Sequence, residues 1–191
     1  MNNKQIVIVK GSPRKNGNSA WLAEQVRAGA KAAGAEVESF DLHEMQIRPC
    51  TACDACQQAS AQDCIIQDDM QKLYPKLRRA AAIVLVSPIY WFTVSAQTKL
   101  FIDRGFYPLG GSQGHALRGK QIGIVLTYAD ADPFTSGAVN ALRMFQDIFR
   151  LIGAEIAGMV YGSAWKAGDI QNQPEVKEKA YQLGQQLGTD G

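Results

Sequence analysis

All 4 cysteines of this chain fall between Cys50 and Cys64. Cys50, Cys53 and Cys56 stand in two tight C-x-x-C steps that share a cysteine, and Cys64 follows a seven-residue spacer. A secreted disulfide framework spreads its cysteines to staple distant segments. Thiols gathered in one loop form a ligand set instead. The shared-cysteine spacing suits the compact arrangement that wraps three corners of a [4Fe–4S] cube, with a more distant fourth ligand. Structural zinc uses two separate C-x-x-C knuckles, so it fits less well. The spacer, Gln57-Gln58-Ala59-Ser60-Ala61-Gln62-Asp63, is polar and exposes the loop to solvent. On the residues alone, four free thiols or one oxidised pair remains the competing reading.

A second chemical signal follows the first apolar run. Gly11-Ser12-Pro13-Arg14-Lys15-Asn16-Gly17-Asn18-Ser19 opens onto a helix. A helix start presents unpaired N–H groups and a positive dipole end, which bind an anion. Ser12, Asn18 and Ser19 add side-chain donors, and Arg14 adds charge. The Walker pattern fails because Gly17 is followed by Asn18-Ser19, and G-x-G-x-x-G fails because position 13 is Pro. What remains fits a terminal phosphomonoester, such as that of flavin mononucleotide (FMN). The plainer reading is a polar turn whose Asn18 or Ser19 caps the helix.

Ser87-Pro88-Ile89-Tyr90-Trp91-Phe92-Thr93 closes another apolar run with three consecutive aromatics. Pro88, Ile89, Tyr90, Trp91 and Phe92 would flank a planar ring, with backbone N–H groups from Ile89 to Phe92 meeting its polar edge. At least one of the aromatics is expected at a subunit interface. Thr127 and Tyr128 are candidates for the opposite rim. Asp130 and Asp132 read as turn residues, and His43 and His115 as isolated histidines. Trp21 and Trp165 read as packing or interface residues, and Arg78-Arg79 as a solvated helix end.

The elements that must position these groups alternate between strand and helix. Short β-branched runs at Ile6–Val9, Val37–Leu42, Ile83–Val86, Ile122–Leu126 and Ile156–Tyr161 predict five strands, most of them buried on both faces. Helical stripes predict helices from Asn18 or Ser19 to Gly34, from Asp68-Asp69 through Leu77, and over Ser95–Arg104. Two more are predicted over Ser136–Leu151 and from Pro174 to Leu187. Crossovers of this length imply a parallel, doubly wound sheet, which binds ligands beyond the carboxyl ends of its strands. The phosphate and aromatic loops lie at that end, and the cysteine loop, which follows the second strand, is expected there as well.

With 191 residues, no internal repeat and no linker, residues 1–191 read as one domain. The net charge of +2 gives no footprint for nucleic acid, and no apolar run approaches the ~18 residues that span a bilayer. Met1-Asn2-Asn3-Lys4 lacks a signal-peptide core, so a cytoplasmic location is expected.

The chain resembles the NADPH-dependent FMN reductase family. The likeness is carried by Gly11-Ser12-Pro13-Arg14, Gly17-Asn18-Ser19, Asp68-Asp69-Met70, Ser87-Pro88-Ile89-Tyr90-Trp91 and Lys99-Leu100-Phe101-Ile102-Asp103-Arg104. It implies a flavodoxin-like α/β three-layer sandwich, with a five-stranded parallel sheet in order 2-1-3-4-5 and helices on both faces. It further implies non-covalent FMN, with Ser12, Arg14, Asn18 and Ser19 on the phosphate and Pro88 to Phe92 on the ring. A homodimer or homotetramer, and a structural role for Asp103-Arg104, follow from the same likeness. Cys50, Cys53, Cys56 and Cys64 look like the metal ligands of the iron–sulfur flavoprotein branch.

The expected function is therefore an FMN-dependent oxidoreductase with a [4Fe–4S] cluster. It would relay electrons to or from a redox partner such as a ferredoxin, or to a small-molecule acceptor, with NAD(P)H as co-substrate. No catalytic acid or base is assigned. The alternatives are an NAD(P)H-dependent FMN or quinone reductase without a cluster, a flavodoxin-like electron carrier without a substrate of its own, and a zinc-stabilised binding module.

Overall fold

In the computed structural model, which describes residues 4–58, 63–111 and 114–189, the expected alternation is present. Strands β1 (Gln5–Lys10), β2 (Glu36–Asp41), β3 (Ala82–Tyr90), β5 (Gln121–Tyr128) and β6 (Glu155–Ser163) pair in parallel in the order β2-β1-β3-β5-β6. This is the order implied by the resemblance. A two-residue strand, β4 (Thr93–Val94), pairs antiparallel with the end of β3. Helices α1 (Asn18–Ala32), α2 (Met70–Arg79), α3 (Ala96–Gly105), α4 (Ala138–Ile152) and α5 (Pro174–Gly188) cover the two faces.

Strand side chains alternate between faces, and the core divides accordingly. Val7, Val9, Ile83, Leu85, Ile122, Ile124 and Leu126 pack with Met70, Leu73, Leu77, Phe101, Phe145 and Phe149 of α2, α3 and α4. Ile6, Ile8, Val84, Val86, Val125 and Val160 pack on the other side with Leu22, Val26 and Ala30 of α1 and Leu183 and Leu187 of α5. Gly34 and Gly153, with φ of +88° and +73°, terminate α1 and α4 as left-handed caps.

Three local differences have physical causes. The N-cap of α1 is Gly17, with no side-chain cap, because Asn18 and Ser19 already lie inside the helix with other partners. The start of α4 shifts to Ala138 because Asp132 Oδ1 accepts from Phe134 and Thr135 N–H, holding those residues in a turn. The aromatic segment is a hairpin, not an open loop. β3 runs on to Tyr90, and Trp91 and Phe92 form its two-residue turn with φ of +47° and +67°. Positive φ at both central positions marks a type I′ turn, which normally takes Asn-Gly. No sequence propensity points to it.

Candidate functional site

Two separate sites emerge. The first is a cleft of about 300 Å³ at the carboxyl end of the sheet. Its lining includes Ser12, Arg14, Asn18, Ser19, Pro88, Ile89, Tyr90, Thr127 and Tyr128, nine of the eleven residues expected around a flavin. Gly11 lets the phosphate loop approach α3, since a Cβ there would lie 1.8 Å from Thr98 Oγ1. Ser95, the side-chain cap of α3, donates to Gly11 O at 2.6 Å. Ser12 Oγ accepts from Arg14 N–H at 3.1 Å, folding the loop back on itself. Because α1 lacks a side-chain cap, its first-turn N–H groups remain available to an external acceptor. This cradle fits a phosphomonoester.

The roles divide differently from expectation. Asn18 is committed to bracing a neighbouring loop: Nδ2 donates to Lys166 O at 2.9 Å, and Oδ1 accepts from Gly168 N–H at 2.9 Å. Its amide therefore braces the wall of the cleft that Ser12 and Arg14 also line. Ser19 and Thr127 share a buried hydroxyl pair at 2.6 Å, which ties α1 to the end of β5. Trp91 and Phe92 do not line the cleft of this chain. Their turn swings them outward, leaving Trp91 93% exposed, with Phe92 O held by Asn140 Nδ2. Sequence reasoning missed Ala164 and Trp165, which complete the cleft. Their position just beyond the last strand, at the same sheet end, was the available signal.

The second site is the cysteine pocket. Cys50, Cys53, Cys56 and Cys64 line one pocket together with Asp103, Arg104 and Tyr107. A shallow depression of about 440 Å³, bounded by Cys50, Ala52, Asp54, Ile102, Asp103 and Tyr107, adjoins it. Cys64 is buried, Cys56 half-buried, and Cys50 and Cys53 exposed; none of the four is in a disulfide. The Ala59–Gln62 part of the polar spacer lies outside the described residues.

Ala52 and Asp54 adopt φ of +52° and +53°, so the backbone curls around Cys53. Ala52 N–H reaches Cys50 Sγ at 3.4 Å. The Ala55 N–H and the Thr51 hydroxyl lower the pKa of Cys53, favouring its thiolate, whereas burial raises that of Cys56. N–H groups directed at sulfur are the surroundings that Fe–S ligands use. Among the described residues, no three His, Cys, Asp or Glu groups are gathered for a single metal ion. A cube makes no such demand, because each cysteine binds a different iron. The donor set fits a cluster.

The pocket is anchored by the ion pair of Arg104 with Asp68, at 2.7 Å, whose side chains are 0% and 4% exposed. Burial pushes the Asp68 carboxyl up, but Arg104 and the N–H groups of Arg48 and Met70 outweigh it and hold the pKa below the usual range. Asp103 pairs with Lys99, not with its neighbour Arg104. Both residues are thus ion-paired, each with a different partner.

The cysteine loop does not stay at the flavin end of the sheet. His43 approaches Gln97 in the first turn of α3, whereas Arg48 O, Asp54 and Gln57 contact Arg104 and Tyr107 at its far end. About five residues of α3, roughly 8 Å of helix rise, separate Thr98, which touches Gly11, from Asp103, which lines the cysteine pocket.

A β2-β1-β3-β5-β6 sandwich with a phosphate cradle after its first strand defines a flavodoxin-like flavoprotein. The chain belongs to the NADPH-dependent FMN reductase family, whose match covers residues 5–165. It is 35% identical to an iron–sulfur flavoprotein of Archaeoglobus fulgidus, across 95% of this chain and 77% of that protein. An iron–sulfur flavoprotein of Methanocaldococcus jannaschii is 30% identical, across 96% and 95%. Among solved structures, an NAD(P)H:quinone oxidoreductase from Methanothermobacter marburgensis shares the fold with a TM-score of 0.78, at 19% identity over 99% of both chains. The protein is accordingly an FMN-binding flavoprotein oxidoreductase. No helix among the described residues is long and apolar enough to cross a membrane.

Proposed function

We propose that this chain is a cytoplasmic FMN-dependent oxidoreductase that also carries a [4Fe–4S] cluster on Cys50, Cys53, Cys56 and Cys64. It passes electrons between the flavin and a redox partner such as a ferredoxin, or a small-molecule acceptor, with NAD(P)H as co-substrate. The observation that carries this reading is the gathering of four thiols, from both ends of a fifteen-residue loop, around one pocket with N–H groups directed at sulfur. The relatives named iron–sulfur flavoproteins, aligned over most of the chain, support it.

Bound FMN supplies a ring that accepts a hydride or single electrons at N5. The chain's own groups bind and orient it. Ser12, Arg14 and the first-turn N–H groups of α1 hold the phosphate. Pro88, Ile89 and Tyr90 form one wall, and Thr127, Tyr128 and Trp165 the other. The cleft opens to solvent, so protons come from water and no side chain is assigned as acid or base. Exposed Trp91, Phe92 and Phe134 favour assembly into a homodimer or homotetramer.

The second reading, an NAD(P)H-dependent FMN or quinone reductase with incidental cysteines, is favoured by the family match itself. An absorption spectrum with iron and sulfide assays on anaerobically purified protein separates the two. About four irons and four sulfides per chain, with flavin, are expected. Flavin bands without iron would select the second reading, and no flavin even after adding FMN would overturn both.

A further inference from the structure

Arg104 stands at the end of α3, inside the cysteine pocket, with its side chain 0% exposed. Its terminal nitrogens are committed: Nη1 and Nη2 donate to the two Asp68 carboxylate oxygens at 2.7 and 3.2 Å, and Nη1 also reaches Arg48 O. That end-on pairing leaves Nε–H outside the fork. Among the described residues, Arg104 Nε is the one buried side-chain nitrogen or oxygen without a hydrogen-bond partner. Buried donors are rarely left so, and each asks for an acceptor.

The pocket offers few. Asp103 pairs with Lys99, and Asp54 accepts from the Tyr107 hydroxyl at 3.0 Å. The sulfurs remain, and buried Cys64 interacts electrostatically with the guanidinium. Tyr74 donates to Arg104 O at 2.7 Å, fixing the helix end that carries the arginine.

We infer that Arg104 is a positioning residue for the cysteine centre: its Nε–H serves the sulfur side of the pocket, and its buried charge favours the form of the centre that carries one more electron. The inference rests on reading the pocket as a [4Fe–4S] site. Reduction by dithionite delivers one electron to the metal centre, breaks no bond to the protein and moves no proton. The quantity to stabilise is therefore one added negative charge, and a fixed buried cation does so strongly in a low-dielectric site. Asp68 moderates the effect by offsetting part of the arginine charge.

The test is a potentiometric titration with electron paramagnetic resonance and iron analysis. It uses the full FMN-bound chain, purified without oxygen, as wild type, Arg104→Gln, Arg104→Lys and Asp68→Asn. Arg104→Gln is expected to make reduction at least tenfold less favourable, a fall of 59 mV for one electron. Arg104→Lys should recover most of that shift by restoring the charge. Asp68→Asn, which keeps the side-chain shape but turns one acceptor into a donor and removes the opposing charge, should shift the potential upward. If Arg104→Gln does not fold, Arg104→Met combined with Asp68→Leu leaves no orphan charge, and a fall is again expected, smaller than for Arg104→Gln because the opposing Asp68 charge goes with it. Variants that hold four irons at the wild-type potential would overturn the role of Arg104 and leave the cluster reading standing. Wild-type protein that takes up no iron would overturn both.

Discussion

The flavin cleft and the cysteine pocket share one feature and differ in another. The four non-glycine residues with positive φ among the described residues divide evenly between them: Trp91 and Phe92 beside the cleft, Ala52 and Asp54 beside the cysteines. Backbone held in that region costs of order 1–3 kcal/mol per residue and persists only where the surroundings over-determine it. The supports differ in kind. The cleft is framed by regular elements, namely the ends of β1, β3 and β5 and the first turn of α1, whose hydrogen bonds exist whether or not a ligand is present. The pocket is a loop pinned by few contacts, chiefly Arg104 with Asp68 and Arg48, and Tyr107 with Asp54 and Gln57. The carboxyl end of a sheet supplies a preformed site; a loop of thiols depends on what it binds for much of its order.

The comparison can be broken most sharply at a cysteine. Cys56→Ser is expected to reduce bound iron to background while FMN stoichiometry is unchanged, because no residue lines both sites. Joint loss of iron and flavin would show that the sites are coupled.

A smaller effect is expected at Asn18, which belongs to the framed site. Asn18→Ala removes its hydrogen bonds to residues 164–170 and should destabilise the chain by about 2 kcal/mol, read by urea denaturation. Flavin affinity should fall with it, since Trp165 and Ala164 lose their tether. A loss of affinity with unchanged stability would return Asn18 to the phosphate.

Arg14→Ala should weaken FMN binding about tenfold, the scale of one exposed charge-assisted contact, and leave iron content alone. Fluorescence titration of the apoprotein measures it.

The smallest effect concerns His115, which lines neither the cleft nor the cysteine pocket. Burial lowers its pKa, while Nδ1 accepts from Leu117 N–H and Nε2 bonds Phe106 O. The folded chain therefore favours the neutral ring, and the unfolded chain takes up a proton first as pH falls below the ordinary value of 6.5. This contribution to stability is complete at neutral pH and declines as pH falls through and below 6.5. A small drop in Tm between pH 7.5 and 5.5, absent in His115→Gln, is the expected result.

Much of this architecture was legible before any coordinates. The β-branched runs marked the strands most clearly where they are buried on both faces, as in β1, β3 and β5, and the apolar stripes placed the five helices to within a few residues. The resemblance supplied the strand order. Nine expected residues line one cleft because, in a parallel sheet, loops that follow strands must share an end. Other features were not legible. Trp91-Phe92 breaks turn propensity, so no local rule marks it as a hairpin. Asn18 looks like a ligand donor until the loop at 164–170, about 150 residues away, takes up its amide.

What the sequence by itself determined is what near-neighbour patterning encodes: alternation of strand and helix, the polar turn after β1, and four thiols within one loop. Only the tertiary structure decided which of these groups meet. It carried the cysteine loop along α3 to a buried arginine, and it turned Trp91 away from the cleft. It paired Asp68 with Arg104 rather than leaving it as a simple helix-start carboxylate. Such choices depend on long-range packing and on satisfying buried polar groups, and neither leaves a periodic trace along the chain.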